Sequence, residues 1–380
     1  MQRFLQLTAM VFASVILSTF PCKAQTNESS HDQTGKRSTP STAHPVQSPK
    51  PGPLLALHAT GSQTPPQPAQ AQPHTTLLRV PPQIRLMVFA PHPDDEAIGA
   101  AGLIQRVIQK EGKAQVVFVT NGDGYLDGVR LQNNQATASS EDFIVYGVQR
   151  QREAQQAVAE MGLEPEDAIF LGFPDGGIDD LWTDHWSSQK PYTSPHTQFD
   201  HAHYKSSFWR YVSYSGAGLQ NQILRAILEF APDWIVLPDP RDLHPDHCTT
   251  GVFVLEAIRK LRESGQAPFD NIQVFSYLVH YPDYPTQKSS WIDRASRAGI
   301  GGSHAGENSL SNTEWLTFAM TSQELEAKER ALRAHESQAG PLGGFFKIFL
   351  NHYEYFGRLG PTEINTLPSE YAARFGRSSS

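Results

Sequence analysis

The folded part of the chain is marked by short apolar runs that alternate with helix-like segments from residue 76 onward. The apolar runs are rich in Val, Ile and Phe, as buried strands are, and comprise IRLMVFA (84–90), AQVVFVT (114–120), DAIFLGF (167–173), DWIVLP (233–238) and IQVFSYL (272–278). Helical patterns lie between and after them, over 97–110, 149–161, 220–230, 248–261 and 322–335. Because strands that alternate with helices pair in parallel, we expect an α/β fold: a three-layer Rossmann-like sandwich with a mostly parallel sheet.

The N-terminal part of the chain has a different texture. Arg3 precedes a mostly apolar stretch, and small residues lie around Ala24, a pattern typical of a cleaved signal peptide. The next part is rich in Gln, Ser, Thr, Pro and His, and we expect it to be disordered because it cannot bury enough apolar surface. The predicted organisation is a signal peptide, a low-complexity linker, one folded domain and a C-terminal tail, over residues 1–24, 25–77, 78–360 and 361–380.

Export to the periplasm or the extracellular space follows from the predicted signal peptide. The alternative is an uncleaved membrane anchor, but polar residues interrupt the apolar stretch, which is short for a membrane-spanning helix. The chain has two cysteines, Cys22 and Cys248, and cleavage after Ala24 would leave only the second, so no internal disulfide is expected. Cys248 is expected to be a small buried hydrophobe rather than a thiolate ligand or nucleophile.

The overall charge is mildly acidic, with a formal net charge of -8 at pH 7. Proteins that bind nucleic acids present a basic stripe or patch, so this class of function is set aside. The sequence does not indicate a stable protein partner either.

Polar clusters follow four of the predicted strands directly. In open parallel sheets, ligands bind beyond the carboxyl ends of the strands, so these clusters are expected to meet at one edge. They are PHPDDE (91–96), NGDG (121–124), FPDGG (173–177) and PDPRDLHPDH (238–247). The sequence therefore predicts a site at that edge of the sheet.

Two of these clusters, HPDD (92–95) and HPDH (244–247), have the residue types of a metal site. Either alone could be a capped turn, but two of them, each after a buried strand, favour metal binding. Imidazole and carboxylate ligands with one open position are typical of hydrolytic zinc, so Zn²⁺ is the expected cofactor, with other divalent ions as alternatives. Adjacent carboxylates point in different directions, so one of Asp94 and Asp95 should bind the metal while the other takes a proton from metal-bound water.

The same residues carry a family resemblance. APHPDDE (90–96) resembles the AHPDDE signature of the PIG-L/LmbE-like de-N-acetylases, and HPDH (244–247) resembles that family's second signature. Members of this family are zinc-dependent enzymes that remove acetyl groups from N-acetylglucosamine-type sugars. Pro91, directly before the first His, departs from the family pattern. The resemblance spans about residues 84–356, and its further matches are FPDGG (173–177), Arg150, Glu153, Ala157, Lys328, Ala331, Leu332, His335 and Gln338.

This resemblance also implies roles for individual residues. The residues that would bind zinc are His92, Asp95 and His247. The implied catalytic residues are Asp94 as general base, His244 as general acid or oxyanion partner, and Asp246 as the residue that orients His244. Arg150 would contact the sugar, although an ion pair with Glu153 on the helix surface is the alternative.

The sequence thus predicts a secreted, zinc-dependent hydrolase that removes the acetyl group from an N-acetylated amino sugar. One alternative is hydrolysis of a non-sugar amide; phosphoester cleavage is less favoured because NGDG lacks a phosphate-loop lysine. Another is a carbohydrate-binding protein without turnover, because an apparent insertion over 180–216 is rich in aromatic residues that could stack on sugars: Trp182, Trp186, Tyr192, Trp209, Tyr211 and Tyr214.

Overall fold

The structure is a computed structural model that describes residues 76–265, 269–281, 284, 313–367 and 371. The predicted signal peptide, nearly all of the predicted linker and much of the predicted tail lie outside these residues. Within the described part of the chain, no helix is both long enough and apolar enough to span a bilayer.

In the described part of the chain, an eight-stranded sheet forms the centre of the fold. Its strands in chain order are β1 (Thr76–Leu77), β2 (Arg85–Ala90), β3 (Lys113–Thr120), β4 (Ala168–Phe173), β5 (Trp234–Pro238), β6 (Gln273–Tyr277), β7 (Glu314–Ala319) and β8 (Tyr353–Leu359). They lie side by side in the order β1-β7-β8-β6-β5-β2-β3-β4. All neighbouring strands pair in parallel except β8, which is antiparallel to both β6 and β7. The mostly parallel sheet is therefore confirmed.

Helices cover both faces of this sheet. In the described residues they are α1 (Asp95–Gln109), α2 (Leu126–Asn133), α3 (Ser140–Glu160), α4 (Ile178–Thr183), α5 (Gly216–Phe230), α6 (Pro245–Glu263), α7 (Ser322–Ala334), α8 (Glu336–Phe346) and α9 (Pro361–Asn365).

Strand β2 shows why the fold has three layers. Its side chains alternate between two cores: Leu86 and Val88 belong to the core that includes residues of α1, α3 and α7. Met87 and Phe89 belong to the core that includes residues of α5 and α6. A strand buried on both faces reads as a continuous apolar run, which explains the sequence signal.

The five predicted strands are all present, with ends that differ by about one residue. Helix α3 begins well before residue 149, because Ser139 and Asp142 form a capping box that starts it earlier. Strands β7 and β8 were not predicted. They add the antiparallel part of the sheet beside β6.

The fold also extends past residue 360, where the sequence predicted a tail. Ile364, Leu367 and Tyr371 are buried in the same core as residues of α6. The hydroxyl group of Tyr371 lies 3.1 Å from a carboxylate oxygen of Asp179. Cys248 is buried next to it, as predicted, with its Sγ 3.4 Å from the Tyr371 hydroxyl oxygen.

Helix α1 is held close to the sheet by a glycine. A Cβ atom placed on Gly99 would lie 2.4 Å from Cδ2 of Tyr277, well inside the contact distance of two carbon atoms. The hydroxyl group of Tyr277 in turn donates to the main-chain oxygen of Phe89 at 2.9 Å. These contacts fix the start of α1 relative to the ends of β2 and β6, where the candidate site lies.

Candidate metal centre

The two His-Pro-Asp clusters meet at the carboxyl edge of the sheet. His92 follows β2 and Asp95 begins α1, while His244 precedes α6 and His247 lies in its first turn. The ring centroids of His92 and His247 are 5.2 Å apart. Segments far apart in the sequence therefore supply one cluster, at the edge that the sequence predicted.

The three predicted metal ligands lie within reach of one ion. Ligand atoms of His92, Asp95 and His247 all lie within 4.8 Å of one another. Oδ2 of Asp95 is 3.3 Å from Nδ1 of His92 and 3.2 Å from Nε2 of His247. Two ring nitrogens and one carboxylate oxygen thus converge on a single position.

The ring of His247 gives an independent reason to place a cation there. It is fully buried, and within the described chain neither of its ring nitrogens has a hydrogen-bond partner of acceptable geometry. Buried polar atoms are rarely left unsatisfied, and a metal ion would accept the lone pair of Nε2. The donor set of two imidazoles and one carboxylate also matches the preference of Zn²⁺. The residues therefore fit a divalent cation.

The other nitrogen of His92 is held by carboxylates. Its Nε2 lies 3.1 Å from Oδ1 of Asp175 and 3.1 Å from Oδ2 of Asp246. Burial alone would lower the pKa of His92, but Asp175, Asp246 and Asp95 raise it well above its usual range. A histidine that binds a metal through one nitrogen commonly donates from the other to a carboxylate, which fixes the orientation of its ring.

The side chain of Asp246 therefore contacts other groups than the sequence predicted. Its carboxylate accepts hydrogen bonds from the main-chain N–H groups of Gly176 and Ile178, at 2.7 and 3.1 Å, and faces His92. It contacts His244 through its own main-chain N–H, which donates to Nδ1 at 3.2 Å. At the start of α6 the side chain of Asp246 points across the site, so its main chain, not its carboxylate, orients His244.

A second possible ligand group overlaps the first. Atoms of His92, His244 and Asp246 also lie within 4.8 Å of one another. The carboxylate of Asp246 already accepts two main-chain hydrogen bonds, however, whereas the nitrogens of His247 have no hydrogen-bond partner among the described residues. The group of His92, Asp95 and His247 is therefore the better candidate for a metal site.

His244 is neutral at physiological pH in this arrangement. Burial, together with the neighbouring rings of His92 and His247, lowers its pKa to about 4. Because Nδ1 accepts from the Asp246 main chain, a neutral His244 carries its proton on Nε2. This environment therefore favours a neutral His244 that donates from its N–H group over a positively charged one.

Asp94 occupies a strained position beside the cluster. Its φ of 134° is one that residues with a side chain rarely adopt, at a cost of about 1–3 kcal/mol. Its main-chain N–H donates to Oε2 of Glu96 at 2.9 Å, and its carboxylate lies 3.2 Å from Nη2 of Arg150. Burial raises the pKa of Asp94 to about 7, although Arg150 opposes this shift.

Arg150 supports Asp94 instead of pairing with Glu153. It is buried, and it donates to the main-chain oxygens of Pro93 and Gly122 as well as to Asp94. Glu153 accepts hydrogen bonds from Gln149 and Ser337. The surface ion pair considered from the sequence is therefore wrong. Arg150 also lines the cavity, and contact with a sugar stays a prediction.

A cavity of about 380 Å³ opens beside the cluster. Asp94, Asp95, His92 and His244 lie on its polar side, and Leu342 and Phe345 of α8 form an apolar wall. Its other lining residues are Ile98, Gly124, Tyr125, Arg150, Asp175, Gly176, His196, Val279, His280 and Gln338.

Several of these residues were not predicted individually. His280 lies just beyond the end of β6, 5.1 Å from the ring of His244, and the rule about strand ends could have found it. Burial and the neighbouring His247 lower its pKa. The apolar wall had no sequence signal, because α8 (ESQAGPLGGFF) is rich in residues that disfavour helices.

The aromatic residues of 180–216 do not line this cavity. Trp182 and Tyr214 are buried in the core. Trp209 and Tyr211 are exposed, with the guanidinium group of Arg225 3.6 Å from the Trp209 ring centroid. Only His196 from this segment reaches the cavity wall. The structure therefore gives no support to sugar stacking by these aromatic rings at the site.

Several solved structures have a similar fold, among them N,N'-diacetylchitobiose deacetylase from Pyrococcus horikoshii, which is 17% identical with a TM-score of 0.43 over 72% of this chain and 83% of that one. The conserved protein TT1542 from Thermus thermophilus is 18% identical with a TM-score of 0.42, and the match covers 73% of this chain and 96% of that one. The zinc-inhibited form of teicoplanin deacetylase Orf2 is 15% identical with a TM-score of 0.44, and the match covers 73% of this chain and 99% of that one. At such identities they say nothing about substrate. No curated protein matches the chain.

The family match covers the part of the chain that carries both His-Pro-Asp clusters. The model for the family described as PIG-L: GlcNAc-PI de-N-acetylase matches residues 87–258. This span runs from β2 through most of α6 and includes every residue of the proposed ligand set. The resemblance seen in the sequence is confirmed: residues 87–258 match the model of the PIG-L family.

Proposed function

We propose that the protein is a zinc-dependent hydrolase that removes the acetyl group from an N-acetylated amino sugar of the N-acetylglucosamine type. The observation that carries the proposal is the convergence of His92, Asp95 and His247 beside a cavity that Asp94 also lines. The family match supports the same reaction class.

The chemistry divides between the cation and the side chains around it. A divalent cation bound by the three ligands would supply positive charge that makes water more acidic and polarises an acetamide carbonyl. Asp94 accepts the proton that the attacking water gives up and returns it to the departing amine. Arg150 keeps the Asp94 carboxylate in place through their contact at 3.2 Å.

His244 acts on the other reacting atom. Its Nε2–H donates a hydrogen bond to the carbonyl oxygen as negative charge develops there. The Asp246 main chain holds the ring in the required tautomer. A donor fixed before the reaction needs no reorganisation, which is why such groups contribute strongly to catalysis.

An acetate-release assay tests this proposal. The protein loaded with Zn²⁺ is offered mono-, oligo- and lipid-linked N-acetylglucosamine conjugates, and Asp94→Asn is compared at the same metal content. We expect acetate from at least one conjugate and a loss of about 10²–10⁴-fold in kcat for the variant. Full activity of Asp94→Asn would refute the role of the base. Sugar binding without acetate from any conjugate would favour a non-catalytic carbohydrate-binding protein, and activity on non-sugar amides alone would refute the substrate class.

We further propose that the protein is exported after cleavage of residues 1–24. The support is the sequence pattern described above, which lies outside the described residues. N-terminal sequencing of protein recovered from the exported fraction should begin at Gln25. Recovery of the intact N-terminus in the membrane fraction would favour the anchor instead.

A further inference from the structure

A buried pair, Glu96 and His335, lies directly behind the strained residue Asp94. Both side chains of the pair are fully buried. Oε2 of Glu96 accepts from the main-chain N–H of Asp94 at 2.9 Å, and Oε1 of Glu96 lies 2.8 Å from Nε2 of His335. The two carboxylate oxygens thus connect Asp94 to a residue 239 positions further along the chain than Glu96.

The contact with Glu96 explains how Asp94 keeps an unfavourable conformation. A φ of 134° persists in a folded protein only where the surroundings hold it in place. The main chain on either side of Asp94 is restrained: Arg150 donates to the oxygen of Pro93, and Ala97 and Ile98 donate to the oxygen of Asp94. The N–H of Asp94 is held by Glu96 alone among the described residues.

His335 holds the Glu96 carboxylate in turn. It lies between α7 and α8, and its main-chain oxygen accepts from the N–H groups of Gln338 and Ala339 at the start of α8. Its position is therefore set by α7 and α8, of which α7 packs against α1. Neither Glu96 nor His335 lines the cavity, so neither is placed to touch a substrate.

We infer that Glu96 and His335 are positioning residues, which hold the main chain of Asp94 at a positive φ and thereby aim its carboxylate into the cavity. This inference rests on the proposed function for its effect on turnover. The conformation of Asp94 itself can be tested independently. A misplacement of about 1 Å at a reacting group can lower the rate by about 10²-fold, so the contribution is measurable.

Glu96→Ala and Glu96→Gln separate positioning from charge. Alanine removes both contacts. Glutamine can still accept from the Asp94 N–H through its carbonyl oxygen and donate to Nε2 of a neutral His335 through its amide. We expect Glu96→Ala to lower kcat by about 10²-fold, with KM and bound Zn²⁺ per chain unchanged. Glu96→Gln should retain most of the kcat.

Glu324→Ala is the matched control. Glu324 is also fully buried at the start of a helix, accepts from a main-chain N–H (that of Thr321, at 2.8 Å), and pairs with Arg106 at 2.6 Å. It lies outside the cavity. Its loss should lower the midpoint of urea unfolding as Glu96→Ala does, but leave kcat unchanged.

The crystal structure of Glu96→Ala provides the readout that does not need activity. We expect φ of Asp94 to leave the positive region, and an unchanged φ would overturn the inference even if no substrate is turned over. Equal losses of kcat in Glu96→Ala and Glu324→Ala would also overturn it. If Glu96→Ala does not fold, Glu96→Gln decides: retained kcat supports positioning, and a loss of about 10²-fold with φ of Asp94 unchanged contradicts it. If the wild type releases no acetate, the proposed function fails, but φ of Asp94 in whichever variant folds still tests the positioning role. This angle is expected to change in Glu96→Ala and to stay positive in Glu96→Gln.

Discussion

The carboxylate of Asp246 distinguishes two accounts of the metal centre. In the structure it faces Nε2 of His92 at 3.1 Å, which turns Nδ1 of that ring toward Asp95. The family resemblance instead assigns it the orientation of His244. Asp246→Asn tests the two accounts, because the amide has nearly the same shape but only one oxygen acceptor where the carboxylate has two.

The hydrogen bonds of Asp246 set the size of the expected effect. Oδ1 accepts from Ile178 at 3.1 Å, and Oδ2 accepts from Gly176 at 2.7 Å. Whichever way the amide is turned, its NH₂ group faces one of these main-chain N–H groups, so at least one hydrogen bond is lost. The remaining hydrogen bonds hold the side chain less firmly, and mutation of a residue that orients a metal-binding histidine typically lowers metal affinity by about 10–100-fold. That factor corresponds to about 1.4–2.8 kcal/mol.

The assay is competition for Zn²⁺ with a chromophoric chelator, followed by kcat at saturating metal. Asp233→Asn serves as the control, because Asp233 accepts from the Arg85 N–H at 2.8 Å at the opposite end of the sheet. Its Kd for Zn²⁺ should equal that of the wild type. If Asp246→Asn also keeps the wild-type Kd while kcat falls, the carboxylate acts on His244, and its assignment to His92 is refuted.

Three further predictions concern stability. Nζ of Lys328 contacts Oε1 of Glu354 at 2.9 Å in the core, so Lys328→Met should lower the free energy of urea unfolding by about 3–5 kcal/mol. The double variant Lys328→Met/Glu354→Gln should recover part of this loss. An unshifted midpoint in Lys328→Met would contradict the buried pair. Gly99→Ala should cost about 1–3 kcal/mol, measured in the same way, because its Cβ would meet Tyr277; wild-type stability would show that α1 can move away. Adding Zn²⁺ at 100 times its Kd to metal-free protein should stabilise it by about 2.7 kcal/mol in thermal unfolding; no change would indicate that folded and unfolded chains bind the ion equally.

The position of the site at the carboxyl edge of the sheet could be predicted from the sequence because the signals for it are local. Each of the strands β2 to β6 reads as an apolar run, and the polar clusters that follow β2, β3, β4 and β5 must lie at the carboxyl edge. Strands β7 and β8 escaped prediction because Glu314, Thr317, Glu354 and Arg358 interrupt their apolar patterns. Glu314 and Arg358 face each other across these strands, a pairing that only the fold creates.

The contacts within the site were harder to predict than its position. Asp246 and His244 are near neighbours in the sequence, which suggested a direct contact between their side chains. The carboxylate instead contacts His92, 154 residues away, because the first turn of α6 directs it across the cluster. The positive φ of Asp94 and its link to His335 through Glu96 likewise depend on packing between distant helices, for which an acidic residue in a first turn gives no signal.

Anomalous diffraction at the zinc edge tests the central claim most directly, using crystals grown with Zn²⁺. The account predicts one strong peak about 2.0–2.2 Å from Nδ1 of His92, a carboxylate oxygen of Asp95 and Nε2 of His247. A peak bound instead by Nε2 of His92 together with His244 and Asp246, or no peak at this edge of the sheet, would contradict it.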